Sequence, residues 1–434
     1  MQFKLVPGGV LTGEARVPGD KSISHRCVML GALAQGMTRI SGFLEGEDAL
    51  ATLAAFRAMG VEIEGPSQGN VTITGVGLHG LRAPAEPLDL GNAGTGMRLL
   101  CGLMAGQAFS TELTGDASLC SRPMGRVIDP LTTMGASIRS TEGGRPPLNI
   151  EGGRKLRSIH YDLPMASAQV KSCVLLAGLY SEGRTSVTEP APTRDHTERM
   201  LRGFGYPVQA DAGVISLQGG GALQACDIDV PADISSAAFF LVAASIAPGS
   251  DVLLTHVGIN PTRIGVINIL KMMGADLTLE NRREVGGEPV ADIRVRSAIL
   301  QGIEIPADQV PLAIDEFPVL FIAAACAQGR TVLRGAEELR VKESDRIAAM
   351  AEGLSTLGIQ NEVLEDGIII EGGTLCGGVV ETYQDHRIAM SFAVAAVRAE
   401  AEITVLNCDH VATSFPGFQG LARRLGLQIS VEAG

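Results

Sequence analysis

Six stretches of this chain are apolar on every side: ISHRCVMLGALAQG, GMRLLCGLMAGQ, AQVKSCVLLAGLYSEG, SSAAFFLVAASIAPG, FPVLFIAAACAQG and HRIAMSFAVAAV. Runs of this length with no polar face predict buried helices. Five of them carry Gly within or soon after the last turn, where helices tend to stop. Each is followed by a short β-type stretch: MTRISGF, FSTELTG, RTSVTE, DVLLTHV, RTVLRGA and EITVLNC. A second, amphipathic helix then ends at a glycine, in turn Gly60, Gly135, Gly205, Gly274, Gly358 and Gly426, with spacings of 75, 70, 69, 84 and 68 residues. The repeating piece is buried helix, strand, amphipathic helix, strand, with further strand-like runs before the next. A period near 70 is too long for an ordinary solenoid. Six copies suit two pseudo-threefold domains, with the buried helices at the centre of each. The Gly-rich segment QGGGALQACDIDVPADISS, Gln218 to Ser236, separates the third and fourth repeats and is the predicted crossover.

Composition narrows the class. The 434 residues are 45% hydrophobic and 19% charged, as in a globular protein of two or three domains. A net charge of −13 opposes a general nucleic-acid or anionic-membrane surface, though not a local cationic pocket. No apolar run exceeds about eleven residues, well short of the roughly 18 to 20 that span a bilayer. The N-terminal MQFKLVPGGV lacks a signal-peptide core. The eight cysteines are scattered, form no C-x-x-C pair and mostly sit in apolar runs, which predicts buried reduced thiols in a cytoplasmic protein.

The chemistry gathers at the six buried-helix starts: DKSISHR, GNAGTGMR, MASAQVKS, PADISS, AIDEFP and YQDHRIAMS. N-capping accounts for Ser24, Ser235 and Asp385. It does not account for Lys21, Arg26, Arg98 or Arg387, because the positive end of a helix dipole disfavours cations. An anionic ligand resolves the conflict, since helix N-termini with adjacent Lys and Arg bind phosphate and carboxylate. CSRPMGR adds Arg122 and Arg126, PTRDHTERM adds Arg194, and LRVKESDRI adds Lys342, Glu343, Asp345 and Arg346. Lys342 and Arg346 are four apart and share a face if that segment is helical. Asp315 and Glu343 belong to neighbouring elements of the fifth repeat. A carboxylate among cations can serve as a base, and a desolvated one as an acid, although both could instead merely neutralise charge. His25 and His386 read as structural. No grouping has metal-site spacing, and GNAGTG lacks the Lys-Ser/Thr of a phosphate-binding loop.

Together PGDKSISHR, LGNAGTGMR, GDASLCSRPMGR, ASAQVKS, IDEFP, LRVKESDR and DHRIAMS resemble, in order and across nearly the whole chain, the signature segments of the 5-enolpyruvylshikimate-3-phosphate synthase family. LEGEDAL, ASAQVKS and TRDHTERM resemble its class II branch, which includes glyphosate-tolerant enzymes. The resemblance implies an α/β fold, the two-domain inverse α/β barrel with three βαβαββ-type repeats per domain, closing on ligands held between the domains. The expected division is 20–230 for repeats one to three and 1–19 plus 231–434 for repeats four to six. It implies transfer of the enolpyruvyl group of phosphoenolpyruvate to the 5-hydroxyl of shikimate-3-phosphate, with release of phosphate, in the shikimate route to chorismate and the aromatic amino acids. The chemistry is addition–elimination through a tetrahedral intermediate. No metal or organic cofactor is expected, and the protein is expected to be a cytoplasmic monomer without nucleic-acid or membrane partners.

By motif, the resemblance gives Lys21, Ser22, Arg26, Ser167, Ala168, Gln169, Arg194, Asp315 and Lys342 to shikimate-3-phosphate. It gives Lys21, Gly94, Arg122, Gln169, Arg346 and Arg387 to phosphoenolpyruvate. Asp315 is the implied base on the 5-hydroxyl, and Glu343 with Lys21 the implied proton donor and acceptor at the methylene carbon. Two positions depart from family variants. Thr413 stands where the class I branch has a Lys that contacts phosphoenolpyruvate, and Gly94 stands where some tolerant enzymes have Ala, so glyphosate is expected to fit. UDP-N-acetylglucosamine enolpyruvyl transferase is the nearest alternative, but its loop Cys position is Ala117 here and its Lys-Asn motif is missing. RNA 3′-terminal phosphate cyclase shares the repeat, and the acidic balance opposes it.

Overall fold

The computed structural model describes residues 1–432. The chain packs as two units. The first unit is Gly19–Val230 with Val285–Glu288. The second is Met1–Pro18, Pro231–Glu284 and the chain from Pro289 onward. Each contains three inner helices and three small sheets, one set per repeat.

The inner helices of the first unit are Lys21–Leu33, Gly94–Ala105 and Ala168–Gly178; those of the second are Ile234–Ile246, Phe317–Ala325 and His386–Ala395. Every residue of the second unit's three inner helices is buried, which is why their sequences show no polar face. One hydrophobic cluster fills each unit. The outer helices are Glu47–Ala58, Gly125–Thr133 and His196–Gly203 in the first unit, and Gly265–Met272, Arg346–Thr356 and Phe418–Leu425 in the second. Phe418–Leu425 buries Phe418, Leu421, Ala422 and Leu425, an i, i+3, i+4, i+7 stripe. All six stop glycines have positive φ, from +75° to +119°, the left-handed conformation that ends a helix at least cost when the residue has no Cβ.

The sheets share one plan. Thr111–Thr114 pairs in parallel with Leu88–Asp89 and antiparallel with Arg145–Ile150, which continues to Ile138–Thr141. Arg184–Thr188 does the same with His160–Asp162, Val214–Gln218 and Val208–Asp211. In the first repeat the parallel partners of Ala34–Ser41 are Leu223–Gln224 and Ile228–Asp229, supplied by the end of the third repeat, so the first unit closes on itself. The N-terminal segment closes the second unit. Thr12–Ala15 lies parallel to Asp251–Gly258, and Gln2–Leu5 lies antiparallel to both Ile403–Val405 and Ile429–Glu432.

Three local expectations are corrected. Gly36 does not stop the first inner helix: the helix ends at Leu33, and Gly36 lies in the strand Ala34–Ser41 that follows directly. The caps of the first and fourth inner helices are Asp20 and Asp233, not Ser24 and Ser235. Their carboxylates accept from Ile23 N at 2.9 Å and Ser235 N at 2.8 Å. Ser24 instead accepts from Leu44 N at 3.0 Å. Lys342 and Arg346 do not share a helix face. Lys342 follows a short 3₁₀ turn, Glu337–Val341, and Asp345 caps a helix that begins at Arg346. Four of the eight free cysteines are buried, but Cys376 is exposed. No helix among the described residues is long and apolar enough to cross a membrane.

Candidate active site

In the first unit the implied ligand-binding residues stand at the starts of its inner helices, except Arg122, which ends the short helix Ala117–Ser121, and Arg194, in the loop before His196–Gly203. Lys21 opens the first, and its Nζ lies 2.9 Å from Asp48 Oδ2, on the first turn of the adjacent outer helix. One turn on, Arg26 is buried. Its NH1 donates to the Ser22 carbonyl at 2.8 Å, its Nε to Thr197 Oγ1 at 2.7 Å and its NH2 to Ser172 Oγ at 2.9 Å. Three of five N–H donors are therefore used, and all three acceptors are neutral. Burial lowers its pKa to about 10, with Glu198 and Asp20 opposing and Arg194 contributing, so the cation persists at neutral pH. His25 sits between these cations in sequence. Burial, then Lys21 and Arg26, push its pKa down to about 3, and its Nδ1 lies 2.8 Å from Thr52 Oγ1.

The second and third inner-helix starts are linked. Ser167 caps the third, and Ala168 and Gln169 open it. Gln169 accepts from Arg98 NH1 at 2.7 Å and donates to Thr95 Oγ1 at 2.9 Å. Arg122 NH2 donates to Asn92 Oδ1 at 2.6 Å and to Ser118 Oγ at 3.1 Å. Gly94 opens the second helix, where a Cβ would lie 3.0 Å from Arg122 NH1 and 3.5 Å from Arg98 NH1. Two guanidinium ends therefore close on the Gly94 backbone.

The second unit carries Asp315, Lys342, Glu343, Arg346 and Arg387. Arg346 is 1% exposed and is their hub. It reaches Asp385 Oδ2 at 2.8 Å, Asp315 Oδ1 at 3.3 Å and Glu343 Oε2 at 2.6 Å. Burial works against its charge, but Asp385, Glu343 and Asp315 together hold its pKa above the ordinary value. Asp315 Oδ1 also lies 3.6 Å from Lys342 Nζ, which pairs with Glu338 at 2.9 Å. Asp385 caps the sixth inner helix by accepting from the Arg387 backbone N at 2.9 Å. Thr413 is buried and donates to the His410 carbonyl at 2.7 Å.

Some members were not assigned from sequence. Asp48, Asn92, Ser172, Thr197 and Asp385 hold the implied binding residues in place, and Arg98 joins Gln169. Arg98 and Asp385 stood out at the helix starts. Ser172 and Thr197 gave no signal, because two hydroxyls 25 positions apart become a pair only in the fold. Among the described residues, no three or more His, Cys, Asp or Glu side chains form a metal-site group.

Comparison with known proteins shows the family. The family model described as EPSP synthase (3-phosphoshikimate 1-carboxyvinyltransferase) matches residues 5–421. The 3-phosphoshikimate 1-carboxyvinyltransferase of Alkalilimnicola ehrlichii is 67% identical over 431 residues, covering 99% of this chain and 97% of the relative. That of Methylococcus capsulatus is 67% identical over 429 residues, covering 99% and 98%. A solved EPSP synthase from Acinetobacter baumannii superposes with a TM-score of 0.90 at 61% identity over 100% of both chains. The enolpyruvyl transferase NikO from Streptomyces tendae shares the fold, with a TM-score of 0.81 at 19% identity over 100% of this chain and 99% of its own.

Proposed function

The chain belongs to the EPSP synthase family, the 3-phosphoshikimate 1-carboxyvinyltransferases, and from that membership we propose how its two charge clusters perform the transfer. The reaction moves the enolpyruvyl group of phosphoenolpyruvate to the 5-hydroxyl of shikimate-3-phosphate and releases phosphate. In the addition step the 5-oxygen bonds to C2 of phosphoenolpyruvate while the methylene carbon takes a proton. In the elimination step that carbon returns a proton and the C2–O bond to phosphate breaks. Asp315 takes the hydroxyl proton. Glu343, with Lys21, gives and then removes the proton at the methylene carbon.

In the first unit, Lys21, Ser22, Arg26, Ser167, Ala168, Gln169 and Arg194 bind shikimate-3-phosphate, while Gly94, Arg122 and Gln169, with Lys21, bind phosphoenolpyruvate. The second unit adds Asp315 and Lys342 to the first ligand, and Arg346 and Arg387 to the second. Fixed cations offset the repulsion between two anionic substrates without reorganising during the reaction. The observation that carries this reading is Arg346. One buried guanidinium holds both Asp315 and Glu343, so the proposed base and the proposed proton donor keep fixed places. Glyphosate is proposed to compete at the phosphoenolpyruvate residues. The protein is proposed to work as a cytoplasmic monomer: one chain supplies every residue named, and its cysteines are free thiols.

Phosphate release from purified protein tests the reading. It should require both substrates together and fall by at least about a thousandfold in Asp315→Ala, within the range for a lost general base. Release by wild type with little loss in the variant would keep the activity and remove Asp315 from it. No release with either shikimate-3-phosphate or UDP-N-acetylglucosamine as acceptor would overturn the assignment.

A further inference from the structure

We propose that Lys171 is a positioning residue for shikimate-3-phosphate, acting through Arg26 and Arg194. The proposal deepens the functional reading above and rests on it. Lys171 lies on the third inner helix, two residues beyond Gln169, and is 1% exposed. Carboxylates of the protein occupy its ammonium. Its Nζ pairs with two carboxylates at once, Glu198 at 2.7 Å and Glu189 at 3.1 Å, which are 2% and 8% exposed. These carboxylates bracket the loop that carries Arg194. Glu189 leaves the strand Arg184–Thr188, and Glu198 lies on the first turn of His196–Gly203. Thr193, next to Arg194, donates to Glu189. One buried ammonium thus ties both ends of a short loop to the inner helix.

The neighbouring residues show what the tie controls. Ser172 follows Lys171, and Thr197 precedes Glu198. Those two hydroxyls bond each other at 2.7 Å and accept from the Arg26 fork. The ion triad and the Arg26 cradle are therefore adjacent layers of one helix-to-helix contact. If the Lys171 charge is lost, two buried carboxylates lose their counter-ion and the start of His196–Gly203 must shift to hydrate them. Thr197 and the Arg194 loop move with it. Arg26 still has two N–H donors for an anion, but their aim depends on Thr197 and Ser172.

The test measures shikimate-3-phosphate binding by calorimetry, and phosphate release with each substrate varied, for wild type, Lys171→Met, Lys171→Arg and Glu189→Gln. Lys171→Met should weaken shikimate-3-phosphate binding and raise its KM by about tenfold or more, the scale of one lost charge-assisted hydrogen bond. Its KM for phosphoenolpyruvate and its kcat at saturation should stay within about threefold. Lys171→Arg should recover most of the affinity, because it restores the charge. If Lys171→Met does not fold, Glu189→Gln decides. It keeps the Lys171–Glu198 pair and frees only the strand end of the loop, and should raise the shikimate-3-phosphate KM by about three- to tenfold. Parallel loss of both affinities and kcat would mark a purely structural residue and overturn the proposal, as would unchanged affinity in a folded variant. A wild type that neither binds nor consumes shikimate-3-phosphate would overturn the functional reading first, and the positioning role with it.

Discussion

His25 offers a test that needs no ligand. Its imidazole is fully buried one turn after Lys21 and immediately before Arg26, and these three causes push its pKa down to about 3. In the unfolded chain it titrates near 6.5. Between those values the unfolded state binds a proton that the folded state refuses, so stability rises with pH and is lost as pH falls. The loss begins near pH 6.5 and continues to about pH 3, at about 1.4 kcal/mol per pH unit. From pH 7 to pH 5 the linkage amounts to about 2 kcal/mol. His25→Asn keeps a polar partner for Thr52 Oγ1, now 2.8 Å from the ring, and removes the titration. Glu189, whose pKa burial raises, works in the opposite sense but is common to both proteins and cancels in the comparison. Hydrogen exchange read on peptides covering Lys21–Leu33, corrected for intrinsic rates, isolates the opening free energy of this helix in a chain too long for one two-state transition. Wild type should lose about 2 kcal/mol more than His25→Asn between pH 7 and pH 5. The same pH slope in both proteins would refute a neutral imidazole beneath the Lys21 and Arg26 charges.

Three other outcomes follow from close contacts. Gly94→Ala puts a methyl group 3.0 Å from Arg122 NH1, so the guanidinium, whose NH2 holds Asn92 at 2.6 Å, must retreat by a few tenths of an ångström. The KM for phosphoenolpyruvate should rise by up to about tenfold and the glyphosate inhibition constant by a larger factor, and equal changes would contradict a steric origin. Asp385→Asn keeps an acceptor for the helix cap but removes one of three carboxylates around buried Arg346, so hydrogen exchange on peptides covering the affected helix should show a loss of about 2–3 kcal/mol in local opening, and less than about 0.5 would show that Glu343 and Asp315 suffice. Gly358→Ala, at φ +84° with Cys376 Sγ 2.9 Å from the new Cβ, should cost about 1–2 kcal/mol in the same assay, whereas Gly203→Ala, in a helix with open space, should gain about 0.5–1 kcal/mol.

What could be read from the sequence divides along physical lines. Gly60, Gly135, Gly205, Gly274, Gly358 and Gly426 marked the outer-helix ends because a positive φ penalises every side chain but theirs. Ile234–Ile246 and Phe317–Ala325 were legible because total burial leaves no polar face. Choices between nearby equivalents were not legible. Asp20 and Ser24 both qualify as caps, and only the fold commits the Ser24 hydroxyl to Leu44. The spacing of Lys342 and Arg346 promised a shared face, but Asp345 is the stronger local signal and starts the helix between them. Both cations still reach Asp315, from different elements. The partners of Lys171 are 18 and 27 positions away and are set by the packing of a strand, a loop and two helices. No spacing rule anticipates that.

Two buried cations near helix starts, Arg26 in the first unit and Arg346 in the second, are held by opposite means. A cation there opposes the helix dipole, at about 0.3–1 kcal/mol near the surface, and burial adds more. The first unit offsets this for Arg26 with two hydroxyls and a carbonyl. These partners fix direction without cancelling charge, so the field remains for an anion to use. The second unit surrounds Arg346 with three carboxylates. That cancels most of its field but holds two carboxylates at fixed distances from one cation, which suits proton transfer more than anion capture. Weakening the neutral partners of the first unit should therefore act on substrate affinity, and weakening the charged partners of the second on turnover. Thr197→Val and Asp385→Asn pose that contrast in one assay: a rise in the shikimate-3-phosphate KM from the first and a fall in kcat from the second. If both changed the same constant, the division of labour would fail.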